Sequence, residues 1–187
     1  MDMQERINTY WSKRADEFGD ARYTDMLGVK RKLWSDLIRA HLPEKEHLKV
    51  LDLGTGAGFF AFLLHDLGAQ VTAIDYSEDM LANARKNAEK LGYQDITFLQ
   101  MDAQNLSFED ESFDFIFTRN VIWTLPDPAK AYQEMVRVMA KGGKLMNADA
   151  NYSAGFDRMD EAGLTEKAAM HPNTQYAFPA TSLEMLR

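Results

Sequence analysis

Apolar positions spaced by three and four open the chain, with Ile7, Tyr10, Trp11, Ala15 and Phe18 lying along one face of a helix. A second such series, Met26, Val29, Leu33, Trp34, Leu37 and Ile38, stops before Pro43, whose ring disfavours a helical residue ahead of it. The spacing therefore predicts two helices before the first strand. From residue 48 the pattern becomes extended: Leu48-Lys49-Val50-Leu51-Asp52-Leu53 reads as a strand, Gly54 to Gly58 as a turn, and Phe59 to Leu67 as a helix closed by Gly68. Val71-Thr72-Ala73-Ile74-Asp75 is a second strand. Ser77 then caps a helix that carries Glu78 and Asp79 in its first turn and ends near Gly92. Further strands are expected at Ile96-Thr97-Phe98-Leu99, Phe113-Asp114-Phe115-Ile116-Phe117 and Lys144-Leu145-Met146. Between the last two, Asp127 and Pro128 start a helix from Ala129 to Met139, with Gly142 and Gly143 ending it.

Strands alternating with helices imply an α/β fold, a doubly wound, mainly parallel sheet with helices on both faces. At 187 residues the chain has room for one such domain and is too short for two of ordinary size. Residues 1–187 are therefore read as a single domain, with N-terminal helices over 1–42 and the strand-and-helix core over 48–149. Beyond Ala150 short apolar fragments are broken by Gly155, Gly163, Pro172 and Pro179, and residues 150–187 are read as an atypical or truncated segment.

Composition narrows the chemistry. A formal net charge of −8 without a long lysine or arginine run disfavours partners held by their phosphates, so neither nucleic acid nor an anionic membrane is expected. No apolar stretch is long enough to span a bilayer, and Met1-Asp2-Met3-Gln4-Glu5-Arg6 lacks the basic start and apolar core of a signal peptide, which leads to the cytoplasm as the expected compartment. With no cysteine there is no disulfide, thiol nucleophile or thiolate metal site. His41, His47, His65 and His171 show no metal-ligand spacing and are read as surface or structural residues, so no metal is expected. Acid-rich Phe108-Glu109-Asp110-Glu111-Ser112 is read as a solvated turn.

The chemistry-bearing feature is Val50-Leu51-Asp52-Leu53-Gly54-Thr55-Gly56-Ala57-Gly58, a glycine turn between a strand and a helix, with Asp75 ending the next strand. Such a turn lets a ligand approach the backbone, and an acid on the second strand can take both ribose hydroxyls of an adenosine. These features alone fit a dinucleotide as well. Three details favour a cationic, phosphate-free adenosine ligand. The third glycine of a dinucleotide fingerprint would fall on Phe59, whereas here it is Gly58. Asp52 puts a carboxylate just before the glycines, where it would repel a pyrophosphate and suit an ammonium group. Asp102 follows the third strand in Gln100-Met101-Asp102-Ala103, where it could accept a hydrogen bond from an adenine amino group.

Over roughly residues 7–150 the sequence resembles the class I S-adenosylmethionine-dependent methyltransferases, in the small-molecule group that includes the ubiquinone and menaquinone C-methylases. The resemblance rests on Asp52 to Gly58, Asp75, Met101-Asp102-Ala103, Phe113 to Asn120 and Arg137 to Leu145, in that order along the chain. It implies a Rossmann-like fold, S-adenosylmethionine as cofactor with S-adenosylhomocysteine as product, and a small-molecule methyl acceptor. It also implies that Gly54 and Gly56 lie under the methionine part, Gly58 belongs to the same cofactor-binding turn, Asp75 binds the ribose, Tyr76 and Met80 flank the adenine, and Asp102 with Ala103 reads its edge. Asn120 matches the position facing the methyl group and the acceptor. The helix bearing Tyr10 and Trp11 corresponds to a lid, and Tyr10 and Trp123 join Asn120 as acceptor-side candidates.

Plainer roles stand beside these. Asp52 could hold the turn's N–H groups, Asp102 could cap a turn, and Tyr10, Trp11 and Trp123 could be packing residues. Methyl transfer from a sulfonium is an in-line displacement served by positioning and exclusion of water, and no catalytic base is assigned. An NAD-dependent oxidoreductase and a catalytically silent S-adenosylmethionine-binding protein are the alternative functions. Members of the family follow the fifth strand with a helix and an antiparallel strand pair, for which this sequence offers no clear candidates. The segment after Ala150 is therefore expected either to fold across the fifth-strand edge or to be exchanged with a second chain as a homodimer.

Overall fold

The computed structural model describes residues 3–149, in which three helices, α1 (Met3–Ser12), α2 (Ala15–Met26) and α3 (Val29–Arg39), precede the sheet. The N-terminal region thus holds one helix more than its periodicity predicts. The break at Lys13 and Arg14 is a tight turn in which the Arg14 amide donates to the Trp11 carbonyl at 3.0 Å, so the spacing of apolar residues runs on across it. Trp11 and Phe18, on either side of that turn, meet edge-on with centroids 5.4 Å apart. Met26, placed by its spacing with the following helix, ends α2 instead, and Gly28 in an extended conformation starts α3.

The core alternates strand and helix: β1 (Lys49–Leu53), α4 (Phe59–Asp66), β2 (Gln70–Asp75), α5 (Glu78–Leu91), β3 (Ile96–Gln100), β4 (Phe113–Thr118), α6 (Pro128–Val138) and β5 (Met139–Asn147). All five strands are parallel, in the order β3-β2-β1-β4-β5. Every residue of β4 is buried, as suits an interior strand covered on both faces, while β3 and β5 end the described sheet and are more exposed. The helix ends read as expected. The Ser77 hydroxyl accepts from the Met80 amide at 3.3 Å and Gly92 closes α5 at φ +82°, while the Asp127 carboxylate accepts from the Lys130 amide at 3.0 Å at the start of α6.

One expectation at the far end of α6 is corrected. The helix stops at Val138, and Gly142 and Gly143 lie inside β5, which is longer than the expected 144–146. They occupy an irregularity where the β4 register jumps from Phe113 opposite Met139 to Phe115 opposite Lys144. Gly142 has φ +78°, and a Cβ on Gly143 would lie 2.8 Å from the Ala140 carbonyl oxygen, so both positions require glycine for the strand to bulge here. The expectations for residues 150–187, including the missing strand pair and the covered or exchanged edge, lie outside the described residues.

Two cores flank the sheet. On one face Phe59, Phe60, Phe62, Phe115 and Phe117 pack with Trp34, Ile38 and Met26; on the other Leu51, Leu53, Ile74, Ile116, Ala131, Met135 and Val138 make an aliphatic layer. Buried polar groups fix the joints between elements. Asn87 of α5 donates from Nδ2 to the carbonyls of Gly19 at 3.0 Å and Ala57 at 3.3 Å, holding α2 and the glycine turn to the same helix. Burial would raise the Asp114 carboxyl, but the Lys45 ammonium at 2.7 Å and the Lys49 amide at 3.0 Å outweigh it and hold the group below its ordinary value.

Candidate functional site

Because the strands run parallel, their C-terminal ends share one edge of the sheet. The winding reverses between β1 and β4, which opens a crevice at that edge. The sequence candidates sit there together: Gly54 to Gly58 after β1, Asp75 and Tyr76 at the end of β2, Asp102 and Ala103 after β3, and Asn120 after β4.

The glycine turn is held from below, where the amides of Gly54 and Thr55 both donate to the Ile74 carbonyl at 2.9 Å. Gly54, Gly56 and Gly58 adopt φ of +75°, +54° and +93°, the left-handed region that residues with a Cβ resist. Their surroundings differ. A Cβ on Gly54 would lie 2.2 Å from Cγ2 of Val121, and one on Gly58 2.6 Å from Cζ of Phe62, whereas one on Gly56 would meet none of the described residues within 4 Å. The turn is tightly packed at its two ends and open in its middle.

Two acids lie beneath and beside it. Asp52 is only 2% exposed, and among the described residues its Oδ2 has no hydrogen-bond partner. Burial pushes its carboxyl up to about 7, with the charge of Asp75 adding and the neighbouring Thr55 dipole subtracting. Asp75 takes the structural task considered for Asp52: its Oδ2 accepts from the Gly56 amide at 2.8 Å and its Oδ1 from the Ser77 amide at 2.9 Å. Each oxygen keeps a lone pair for a further donor. Burial also raises Asp75, against the pull of the Ser77 and Gly56 amides.

Around this centre Tyr76 is exposed on the rim, while Met80 and Ala103 are buried. The Asp102 carboxylate caps its own loop, accepting from the Gln104 amide at 2.8 Å. Gln104 is a hub that the sequence did not single out. Its side-chain nitrogen donates to Asp102 Oδ1 at 3.1 Å and to Gln4 Oε1 at 3.2 Å, and its oxygen accepts from the Asp127 amide at 2.8 Å. A second tie, Ser12 Oγ to Ser77 Oγ at 3.0 Å, joins the other end of α1 to the loop after β2. Tyr10 lies half-buried on this helix, edge-on to Trp11 and with the Arg14 guanidinium 3.9 Å above its ring centre.

On the opposite wall, Asn120 has φ +57° and is followed by Val121, which presses on Gly54, and by the half-buried Trp123. Asp149, just past β5, turns its carboxylate back to this loop and accepts from the amides of Val121 at 3.2 Å and Trp123 at 3.3 Å. Nothing in its local sequence marks it, since its partners come from another strand's loop. Among the described residues no group of histidines or acids is placed to hold a metal ion, and no helix is long and apolar enough to cross a membrane.

Comparison with known proteins adds to this geometry. The chain is 38% identical over 99 residues to a phosphatidylethanolamine N-methyltransferase of Cereibacter sphaeroides, covering 52% of this chain and 48% of that protein. It is 33% identical over 147 residues to a ubiquinone/menaquinone biosynthesis C-methyltransferase of Rickettsia prowazekii, covering 75% and 58%. The chain thus spans about half the length of these curated relatives. Among solved structures, an S-adenosylmethionine-dependent methyltransferase from Aquifex aeolicus superposes with a TM-score of 0.51 at 32% identity, over 57% of this chain and 58% of that one. Residues 44–182 match the family model of a methyltransferase domain, and with that match the chain belongs to the class I S-adenosylmethionine-dependent methyltransferases.

Proposed function

We propose that this chain transfers a methyl group from S-adenosylmethionine to a small-molecule acceptor bound above the end of β4. The observation that carries the reading is the orphaned, buried Oδ2 of Asp52 beneath a turn whose middle is open at Gly56. Among the described residues that oxygen has no donor, and a cationic ligand would supply the missing charge, whereas a pyrophosphate would be repelled. Phe59, buried where a dinucleotide fingerprint needs its third glycine, also speaks against the oxidoreductase alternative.

When bound, the cofactor supplies a sulfonium-activated methyl for in-line displacement. The chain's residues bind and orient. Gly56 lets the backbone approach the methionine part while Gly54 and Gly58 shape the turn against Val121 and Phe62, and Asp75 offers its two remaining lone pairs to the ribose hydroxyls. Tyr76 and Met80 flank the adenine, with Asp102 and Ala103 at its edge. Tyr10 on α1, tied down through Gln4 and Ser12, shields the crevice from water as part of a lid. Asn120 and Trp123 wall the acceptor side. Small acceptors are supported by the relatives, whose names speak of phosphatidylethanolamine and of quinone biosynthesis, and by the net charge of −8, which disfavours nucleic acid.

Titration calorimetry tests the reading. S-adenosylhomocysteine is expected to bind and NADH is not; heat from NADH alone would overturn the proposal. Asp75→Ala is expected to weaken S-adenosylhomocysteine by roughly ten- to a hundredfold, because it removes a charged acceptor and loosens the Gly56 amide. Glu89→Ala, on the exposed side of α5, should leave affinity unchanged, and equal losses in the two variants would remove Asp75 from the site. Formation of S-adenosylhomocysteine in the presence of a metabolite pool separates an enzyme from a silent binder.

A further inference from the structure

We infer that Asp149 is a positioning residue of the methyl-transfer site: its carboxylate is an internal anion seated in a cup of backbone amides after β4, and it sets the acceptor-side wall. The inference rests on the proposed binding of S-adenosylmethionine in the crevice and adds a residue from a fifth strand end to it. Asn120 is left-handed at φ +57° and Val121 right-handed at φ −114°, ψ −51°. Successive residues of opposite hand turn their N–H groups toward one point and form a concavity that attracts anions. Asp149 fills it, accepting from Val121 and Trp123, with the Asn120 amide also directed at the carboxylate.

The anchored loop reaches the cofactor side through one side chain. Val121 lies against Gly54, so closely that a Cβ there would lie 2.2 Å from Cγ2. Asp149 therefore fixes two things together: the direction of Asn120 and the packing of Val121 on the turn proposed to carry the methionine part. The strand below keeps the anchor in register, since the Ala148 amide donates to the Thr118 carbonyl at 3.0 Å and Thr118 pairs with Asn147. Asn147 in turn donates to the Tyr132 hydroxyl at 2.9 Å, tying this corner to α6.

The experiment compares the full chain with Asp149→Ala and Asp149→Asn by amide NMR and by calorimetry with S-adenosylhomocysteine. In Asp149→Ala the amide resonances of Asn120, Val121 and Trp123 are expected to shift and broaden. Affinity is expected to fall roughly tenfold, the effect of losing hydrogen bonds to a charged acceptor. Formate, a carboxylate small enough to enter the vacated cup, should return both the resonances and the affinity toward those of the unaltered chain, a rescue that general loss of packing would not give. Asp149→Asn, which keeps the volume and one acceptor oxygen, should lie between the two and remains informative if the alanine variant does not fold. Unshifted amide resonances, or an affinity loss that formate leaves untouched, would overturn the inference. If the unaltered chain itself fails to bind S-adenosylhomocysteine, the functional reading fails, while the amide resonances still decide whether Asp149 holds the loop.

Discussion

At pH 8, free of ligand, Asp52→Asn is expected to unfold on the order of ten degrees above the unaltered chain. The Asp52 carboxyl is buried with no donor for Oδ2 among the described residues, and burial raises it to about 7. An unfolded aspartate titrates at about 4, so between these values the folded chain binds the extra proton and stability falls as pH rises. Below the unfolded value no deficit exists; above about 7 it is fully developed and amounts to roughly 4 kcal/mol. Asparagine cannot ionise and removes the deficit. Thermal unfolding of both proteins at pH 4 and pH 8 measures it: the gap should be wide at pH 8 and shrink at pH 4, and an equal gap at both would refute the account. The same substitution is expected to weaken S-adenosylhomocysteine in calorimetry, since the charge that burdens the ligand-free protein is the one proposed to receive a cationic ligand.

Gly54→Ala is expected to destabilise the fold by about 2 to 5 kcal/mol, from two sources. A left-handed φ of +75° disfavours alanine, and the new Cβ would meet Val121 Cγ2 at 2.2 Å. Gly56→Ala separates them. Its φ of +54° carries the backbone cost of about 1 to 2 kcal/mol, but its Cβ has open space. Adding Val121→Ala to Gly54→Ala should recover part of the steric loss and none of the backbone loss. Urea unfolding of the three variants and the unaltered chain measures the difference, and equal losses for Gly54→Ala and Gly56→Ala would show that the contact with Val121 carries no energy.

The strands, the glycine turn and the caps at Ser77 and Asp127 were legible because each depends on neighbours in sequence. What the pattern concealed has common physical reasons. Lys13 and Arg14 make a turn without glycine or proline, so apolar spacing continues through the α1 to α2 boundary. Gly142 reads as a helix terminator because a terminator needs positive φ, and so does the bulge of β5 in which it lies. Asp75 was legible as an acid at a strand end, but its grip on the Gly56 amide was not, since that depends on how two strands sit side by side. Gln104 and Asp149 work through partners on distant segments and carry no local signature.

The pairing of β1 with β4 also bears on how the crevice comes into being. Val50 lies beside Phe115, so one wall of the site cannot form until a long stretch of chain has closed into a loop. β1, α4 and β2 are close in sequence and can assemble early, with the glycine turn between them; the opposite wall arrives only when β4 docks. A ligand that grips both walls then finds its full partner only after the slowest contacts are made. It would lengthen the lifetime of the native state far more than it would hasten the state's formation.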